Sequence, residues 1–264
     1  MRLLIDIGNT RIKWCCIESQ ERIPTTLDLN AVAHHNDFSN AIKECFGRDS
    51  ELLTNNTQAI QQVVVSNVAG ESASNALLDF SMSQWGIKPD FVHVSRRVVG
   101  IDNHYEVLSE LGVDRWVAVI GARSRILTGA VIIVNCGTAI TVDVLTEDDQ
   151  YLGGVILPGF QLASAALSQA DGIAAISTSE TEFSKNKVIG KRTKECVRLG
   201  VFAACVGGVE KVIDSIQEEV VGASASILLS GGAAPLFLDA SRLDCEYDAN
   251  VIMRGLNRMI ECES

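Results

Sequence analysis

Near its N-terminus the chain reads Leu3-Leu4-Ile5-Asp6-Ile7-Gly8-Asn9-Thr10-Arg11-Ile12-Lys13. Near its middle it reads Ile132-Ile133-Val134-Asn135-Cys136-Gly137-Thr138-Ala139-Ile140-Thr141-Val142. In both stretches an apolar strand reaches a short polar side chain, turns at a glycine and continues as a second strand rich in apolar and β-branched residues. The repetition predicts two α/β halves, each opening with a β-hairpin.

Further strands and helices alternate along the rest of the chain, which is typical of the α/β class. Short apolar runs at 63–65 and 227–229 indicate buried strands, and a strand over 151–157 ends at the turn Pro158-Gly159. Helical patterns cover residues 73–85, 114–127, 161–170 and 193 to about 220. We expect one half over residues 1–125, a second half over 126–264, and a cleft between them.

Composition excludes several classes of protein. The chain has 264 residues and a formal net charge of −11, which argues against a nucleic-acid binder but leaves room for a small anionic substrate. Its eight cysteines are dispersed and form no CxxC pair, which favours reduced thiols over a disulfide framework or a zinc site. Asp6 interrupts the N-terminal apolar run, and no run approaches the ~18–20 residues of a membrane span, so we expect a cytoplasmic protein.

The N-terminal turn combines groups that suit a phosphate. A tight turn at Gly8 exposes backbone N–H groups, Asp6 is suited to hold a divalent metal through water, and Lys13 is suited to meet a β- or γ-phosphate. An ordinary hairpin explains this turn equally well when it is taken alone. The second copy at Gly137-Thr138 favours phosphate binding, because two facing turns can clamp a polyphosphate.

A second cluster lies where a helix is predicted to begin, and it reads Leu111-Gly112-Val113-Asp114-Arg115-Trp116. Asp114 is either the N-cap of that helix or a general base. Arg115 is either an exposed side chain or a clamp for a carboxylate or phosphate. The residues alone favour the capping role for Asp114.

Two later segments complete the candidates. Gly231 and Gly232 follow a buried strand and permit either the close approach of a flat ligand such as adenine or a plain strand-to-helix turn. Thr193 precedes the long predicted helix and is most simply its N-cap. Three glycines within that helix indicate close helix packing: Gly200, Gly207 and Gly208. The GxGxxG, GxSxG, HExxH and kinase HRD motifs are absent from the sequence, which weakens dinucleotide chemistry, serine hydrolysis and zinc proteolysis.

Taken together and in this order, these segments resemble the type III pantothenate kinases of the actin, heat-shock ATPase and sugar-kinase superfamily. The resemblance runs from Leu3 to about Gly255 and is weakest over residues 20–95. It implies two duplicated ribonuclease H-like halves and the ATP-dependent phosphorylation of pantothenate to 4'-phosphopantothenate, the first step of coenzyme A biosynthesis. It also implies Mg²⁺ with ATP, and a homodimer.

The resemblance assigns roles to individual residues, with Asp114 as the catalytic base. It places ATP at Asp6, Ile7, Gly8, Asn9, Thr10, Arg11, Ile12, Lys13, Thr138, Gly231 and Gly232. It places pantothenate at Tyr105, Gly112, Val113, Asp114, Arg115 and Thr193. The stretch from Gly153-Gly154 to Pro158-Gly159 matches the family loop that follows the second phosphate motif.

One position departs from the family pattern. Type III pantothenate kinases usually carry an Asp two residues before the second-motif glycine, as a ligand for a monovalent cation, K⁺ or NH₄⁺. This chain has Asn135 there, so the resemblance implies the reaction but leaves the cation requirement in doubt. Asp143 is the nearest downstream carboxylate.

Two alternative functions remain open from the sequence. The first is another small-molecule kinase or phosphohydrolase of the same superfamily, and the second is a non-enzymatic regulatory accessory protein. Retention of Asp114, Lys13 and Thr138 argues against the second, because a pure binding module needs no general base.

Overall fold

A computed structural model describes residues 1–18, 29–47, 60–169 and 188–261, and the chain divides into two compact units. The first unit comprises Met1–Thr128, Asp149–Tyr151 and Asn250–Ser264, and the second comprises Gly129–Asp148 and Leu152–Ala249. Both units combine a β-sheet with α-helices, so the predicted α/β class is confirmed.

Strands and helices alternate through most of the described chain. The strands are β1 (Arg2–Ile7), β2 (Arg11–Ile17), β3 (Asn30–Ala33), β4 (Gln62–Asn67), β5 (Asp90–Phe91), β6 (Arg97–Val98), β7 (Ile101–Asn103), β8 (Val131–Cys136), β9 (Ala139–Leu145), β10 (Gln150–Pro158), β11 (Ser226–Ser230) and β12 (Glu246–Tyr247). The α-helices are α1 (Phe38–Gly47), α2 (Glu71–Trp85), α3 (Val113–Arg125), α4 (Phe160–Leu167), α5 (Thr193–Ile216), α6 (Ala234–Ala240) and α7 (Val251–Glu261). A 3₁₀ turn, Leu108–Glu110, precedes α3, and a π-helical turn, Gln217–Val221, follows α5.

Strand β1 is the centre of the first unit's five-stranded sheet, whose order is β3-β2-β1-β4-β5. It runs antiparallel to β2 and parallel to β4, and every one of its side chains is buried. Leu3, Ile5 and Ile7 alternate onto one face, where they join Phe46 of α1 and Leu77 of α2 in the core. The hydrophobic run that begins the chain therefore builds the middle of this unit.

Strand β8 occupies the same place in the second unit. It runs antiparallel to β9 and parallel to β11, and the order there is β12-β11-β8-β9-β10. Ile132 and Val134 of β8 pack with Val209 and Ile213 of α5. Both sheets thus have a central strand with its hairpin partner and a third strand on one side, and two later strands on the other. A duplication of one ancestral half predicts this agreement.

A small hairpin extends the first unit. Strands β6 and β7 pair antiparallel, and β7 pairs in parallel with Gln150 and Tyr151, the first residues of β10. Both of these residues belong to the first unit, while β10 continues into the second. The hairpin ends just before Tyr105 in the chain, so it helps to position this candidate substrate residue.

The predicted strands and helices are present with small shifts at their ends. The strand expected over 151–157 is β10, and the helix expected over 161–170 is α4, with position 170 outside the described residues. Among the described strands and α-helices, the sequence patterns miss eight: β3, β5, β6, β7, β12, α1, α6 and α7. The predicted N-cap role of Thr193 is wrong, because Thr193 is the first helical residue of α5 and Arg192 holds the N-cap position.

The cysteines that the structure describes are free thiols. Burial raises the pKa of Cys15 and of Cys136 to about 12, so these two thiols stay protonated and act as small apolar groups in the core. Among the helices of the described ranges, none is both long and apolar enough to cross a lipid bilayer.

Close helix packing is found in the first unit, between α3 and α7. A Cβ atom at Gly121 of α3 would overlap the carbonyl oxygen of Val251, and one at Gly255 of α7 would overlap the carbonyl oxygen of Val117. The two helices therefore meet backbone to backbone at these glycines.

The glycines of α5 differ from this prediction. At Gly200 and Gly207, a Cβ atom would meet no described atom within 4 Å, so the close packing expected there is not found in the part of the chain described. A Cβ atom at Gly208 would lie 3.1 Å from a methyl carbon of Leu157, so packing limits the space at this one position.

We expect Gly121→Ala to lower the free energy of unfolding by about 1–3 kcal/mol or more, because the added methyl group must push α7 away. Gly207→Ala is the matched control, and it should raise the free energy of unfolding by up to about 1 kcal/mol, because alanine favours the helix. Urea denaturation of the three proteins measures both changes. Equal effects of the two substitutions would contradict the packing.

Candidate active site

The N-terminal hairpin turn is exposed to solvent, but the strand residues that flank it are buried. Ile7 and Ile12 face each other across β1 and β2, and both are fully buried. The Gly8 N–H donates to the Arg11 carbonyl oxygen over 3.0 Å, while the side chains of residues 9–11 are exposed. Ile7 and Ile12 can therefore offer a ligand only backbone groups, whereas the turn between them is accessible.

Strand pairing brings Asp6 beside two other polar side chains. Asp6 lies opposite Lys13 of β2 and opposite Ser66 of β4. Asp6 is 5% exposed, and within the described chain neither its Oδ1 atom nor the Ser66 Oγ atom has a well-formed hydrogen bond. A buried carboxylate oxygen without a well-formed hydrogen bond is unusual in a folded protein, and such atoms often mark a ligand or metal site.

Burial raises the pKa of the Asp6 carboxyl from its ordinary 3.8 to about 6. The positive charge of Lys13 lowers this pKa, the negative charge of Asp114 raises it, and the Ser66 hydroxyl lowers it. The effect of Asp114 means that the two carboxyl groups are close enough to interact, although they come from distant parts of the sequence. Asp6, Lys13 and Asp114 thus form one cluster within the first unit.

Asp114 is the second residue of α3, and Gly112 holds the N-cap position without a side-chain cap. The predicted N-cap role of Asp114 is therefore wrong. Its Oδ1 atom accepts a hydrogen bond of 2.8 Å from the Arg115 N–H in the first turn of the helix, where the helix dipole favours a negative charge. A Cβ atom at Gly112 would lie 2.7 Å from that oxygen, so Gly112 leaves the room that the carboxylate needs.

Arg115 and Tyr105 form a cation–π pair. The guanidinium carbon lies 5.7 Å from the centre of the Tyr105 ring, and the Arg115 side chain is buried. The Tyr105 ring is in turn parallel to that of Tyr151, with 6.4 Å between their centres. Two of the residues predicted to meet substrate, Tyr105 and Arg115, are therefore in contact with each other.

Two further residues hold the Tyr105 backbone. Asn103, which is buried, accepts a hydrogen bond from the Tyr105 N–H and donates one to the Ser95 carbonyl oxygen. Arg96 donates from one nitrogen to the carbonyl oxygens of Asn103 and Tyr105, both over 2.9 Å. These contacts fix the segment that carries the aromatic ring.

The second unit presents its own hairpin turn at Gly137 and Thr138. The Gly137 N–H donates to the Ala139 carbonyl oxygen over 3.0 Å, as Gly8 does in the first turn. A Cβ atom at Gly159 would overlap the Thr138 carbonyl oxygen, and one at Gly231 would lie 2.5 Å from the Cys136 carbonyl oxygen. Both loops can approach this turn only because they carry glycine.

The remaining predicted residues also lie in the second unit. Asn135 is half-buried near the end of β8, opposite Thr141 and beside Ser230, and its Oδ1 atom would lie 2.7 Å from a Cβ atom at Gly231. Thr193 and Gly232 are exposed. Within each unit, therefore, the predicted residues near the hairpin turn come together, while Thr193 stands at the start of α5.

Sequence reasoning misses four residues that shape the first unit's site: Ser66, Arg96, Asn103 and His34, whose Nε2 atom lies 2.9 Å from the Gly8 carbonyl oxygen. The position of Ser66 follows from the sequence, because the apolar run at 63–65 predicts a parallel strand and parallel strands end at the same edge of a sheet. The side chains of Asn103 and His34 contact backbone groups, so no pattern of residue spacing in the sequence indicates their roles.

Comparison with known proteins gives a consistent result. The family model for type III pantothenate kinase matches residues 2–215. A type III pantothenate kinase from Nitrosococcus oceani is 32% identical over 263 residues, covering 98% of this chain and 93% of that protein. One from Aromatoleum aromaticum is 34% identical over 259 residues, covering 97% of this chain and 96% of that protein.

Solved structures show the same fold at lower identity. A Baf family protein from Campylobacter jejuni is 21% identical with a TM-score of 0.53, covering 98% of this chain and 97% of that chain. The ethanolamine utilization protein EutJ from Carboxydothermus hydrogenoformans is 16% identical with a TM-score of 0.53, covering 97% of this chain and 89% of that chain.

We expect Asp6→Asn to stabilise the protein without ligands at neutral pH. Because the folded pKa of about 6 exceeds the ordinary 3.8, the folded state keeps the proton that the unfolded state loses, and stability falls as pH rises from about 4 to about 6. The difference between these two pKa values corresponds to at most about 3 kcal/mol in the free energy of unfolding.

Urea denaturation at pH 4 and at pH 7.5 tests this expectation. Asp6→Asn should leave the free energy of unfolding almost unchanged at pH 4 and should raise it most at pH 7.5. The exposed Asp79 of α2 supplies the matched control, since Asp79→Asn should leave the pH dependence unchanged. A gain of the same size at both pH values would contradict the cause given for the raised pKa.

Proposed function

The chain belongs to the type III pantothenate kinase family and phosphorylates pantothenate in coenzyme A biosynthesis, and we propose that Asp6, Lys13 and Asp114 carry the phosphoryl transfer. The observation that supports this assignment is the cluster of these three residues beside the open turn of the first unit. Phosphoryl transfer depends mainly on positioning groups and neutralising charge, and this cluster offers both signs of charge at one place.

On the acceptor side, Asp114 takes the proton from the primary hydroxyl of pantothenate as general base. The hydrogen bond from the Arg115 N–H holds one carboxylate oxygen of Asp114 in place. Arg115 itself binds the pantothenate carboxylate, and its contact with Tyr105 keeps the guanidinium plane in place. Gly112, Val113 and Thr193 complete the proposed pantothenate contacts.

On the donor side, the backbone of residues 6–13 and the Lys13 side chain bind the phosphates of ATP. The exposed residues after Gly8 offer N–H groups to phosphate oxygens, as open turns do. The corresponding turn of the second unit offers Thr138, and Gly231 with Gly232 forms the proposed adenosine loop. Lys13 contributes a point charge to the phosphates.

A divalent cation fits the residues around Asp6. The Asp6 Oδ1 atom, which lacks a well-formed hydrogen bond, and the nearby Asp114 carboxyl are hard oxygen donors, and Mg²⁺ typically uses one or two carboxylates together with water and substrate phosphates. We propose that Asp6 holds Mg²⁺ through water. When bound, the ion neutralises charge on the phosphates.

A monovalent cation fits the second unit less well. Asn135 offers an amide oxygen, which brings a dipole but no net charge. Asp143 lies opposite Ile133, one residue pair further along the same face, and is only 1% exposed. The proposed reaction therefore does not depend on K⁺ or NH₄⁺.

We propose that the protein is a cytoplasmic homodimer, and the second unit carries a surface that supports this. Apolar side chains on β10 and α4 are exposed to 40% or more: Leu152, Val155, Ile156, Leu162 and Leu167. Exposed apolar side chains concentrated on neighbouring elements are typical of association surfaces. The net charge of −11 argues against nucleic acid as a partner.

Purified protein with MgATP and pantothenate should form 4'-phosphopantothenate and ADP, and Asp114→Asn should lower kcat by about 10²–10⁴-fold. Asparagine keeps an oxygen for the Arg115 N–H, so the folded structure should survive. Asp79→Asn is the control for the loss of one surface charge. A coupled assay for ADP together with direct detection of the phosphorylated product measures both effects.

Two outcomes would contradict the assignment. If Asp114→Asn keeps a near-normal kcat, Asp114 is not the general base. If ADP forms equally fast without pantothenate, the protein is a phosphohydrolase of the same superfamily.

We expect weak activation by potassium in the natural protein and stronger activation in Asn135→Asp. A unit charge pair at ~4 Å contributes about 4 kcal/mol at an effective dielectric constant of 20, and Asn135 lacks this charge. The measurement is kcat/KM against potassium concentration, with ionic strength held constant by a bulky quaternary ammonium salt. Asn30→Asp on the exposed strand β3 is the matched control. A large, saturable potassium requirement in the natural protein would overturn this expectation.

A further inference from the structure

We propose that His34 is a positioning residue that sets the orientation of the peptide groups in the N-terminal turn and thereby determines affinity for a nucleoside triphosphate. The proposal rests on the proposed role of this turn in ATP binding. It adds a residue that lies outside the phosphate motif and that the sequence patterns do not indicate.

The hydrogen bonds of the His34 ring define its tautomer. Its Nδ1 atom accepts a hydrogen bond of 3.0 Å from the Asn36 backbone N–H, so Nδ1 carries no proton. The proton of the neutral ring is therefore on Nε2, which lies 2.9 Å from the Gly8 carbonyl oxygen. His34 donates to Gly8, and the Asn36 contact keeps the donor on the correct nitrogen.

The ring is held firmly in this position. His34 is 3% exposed, and its ring lies 4.4 Å from that of Phe38, centre to centre. The tight turn after β3 is closed by the Asp37 N–H, which donates to the His34 carbonyl oxygen over 2.7 Å. A ring fixed by packing and by two polar contacts cannot follow Gly8 if that peptide rotates.

His34 also binds the other side of the turn through its backbone. The His34 N–H donates to the Thr10 carbonyl oxygen over 3.3 Å. One residue of the neighbouring strand segment therefore binds two carbonyl oxygens, those of Gly8 and Thr10, in a turn whose own closing hydrogen bond joins Gly8 to Arg11.

These contacts determine where the N–H groups of the turn point. A trans peptide is planar, and its N–H points opposite to its C=O. Because the Gly8 carbonyl points at the buried His34 ring, the Asn9 N–H points away from it. For the same reason the Arg11 N–H points away from the His34 backbone. Without the ring, the peptide after Gly8 is free to rotate, because glycine restricts its own dihedral angles least.

The test compares His34→Phe, which keeps a ring against Phe38 but removes the donor, with His34→Gln, which keeps an amide donor. The neighbouring His35 is exposed and adopts a positive φ of 44°, which asparagine tolerates, so His35→Asn is the matched control. Lys13→Met is included as a variant that weakens the proposed phosphate site directly. Measurements are the Kd for MgATP by titration calorimetry, KM for each substrate, kcat and Tm.

We expect His34→Phe to raise the Kd and the KM for ATP by about tenfold, as the loss of one oriented hydrogen bond implies, with KM for pantothenate unchanged. His34→Gln should recover part of this loss, His35→Asn should behave as the natural protein, and Lys13→Met should bind ATP more weakly. A folded His34→Gln with ATP affinity between those of His34→Phe and the natural protein supports the proposal even if His34→Phe is unstable.

The proposal is overturned if His34→Phe and His34→Gln lower Tm but leave ATP affinity unchanged, since His34 would then be purely structural. It is overturned alone if Lys13→Met loses ATP affinity while both His34 variants keep it. If Lys13→Met also keeps normal ATP affinity, the proposed nucleotide site fails, and this proposal fails with it.

Discussion

The register of β1 against its two neighbours is the constraint on which the candidate site depends. Antiparallel pairing with β2 places Lys13 opposite Asp6, and parallel pairing with β4 places Ser66 on the other side. A slip of one residue would turn the apolar side chains of β1 away from the core and move Asp6 away from Lys13 at the same time. The packing of Leu3, Ile5 and Ile7 therefore fixes the chemistry as well as the fold.

The two units share one arrangement of strands but differ in the charge that they carry at equivalent positions. Asp6 and Asn135 hold the same position, two residues before the glycine of each hairpin turn. In the first unit that position carries a carboxyl whose pKa burial raises to about 6, and in the second it carries a neutral amide. Because the backbone pattern is shared, the sequence repeat predicts the fold of both units. Because the charge at this position differs, the repeat does not extend the proposed carboxylate chemistry of Asp6 to the second unit.

The sequence predicts most where a residue's role follows from its own strand. The two hairpins, the strands at 63–65 and 227–229 and the starts of the long helices follow from local apolar patterns, and all are present. The missed strands, β3 among them, have only two to four residues each and so carry little local pattern. Helix α1 differs from them, because its buried residues recur at the helical period and the sequence therefore contains its signal. Asp114 illustrates the limit on site prediction: aspartate suits an N-cap, but Gly112 takes that position and leaves the carboxyl near Asp6.

The first unit keeps polar groups where a stable core would avoid them. Asp6 Oδ1 and Ser66 Oγ are buried without well-formed hydrogen bonds to described residues, and such groups cost stability until something binds them. A ligand that binds only the folded state returns that stability in proportion to the logarithm of its concentration over its Kd. Under the proposed role of Asp6, the site couples folding to ligand binding, because the buried carboxyl that weakens the protein without ligands is the group proposed to hold a hydrated cation. Ile7 and Ile12, which pair across β1 and β2 and are fully buried, anchor the turn beside these polar groups in the core.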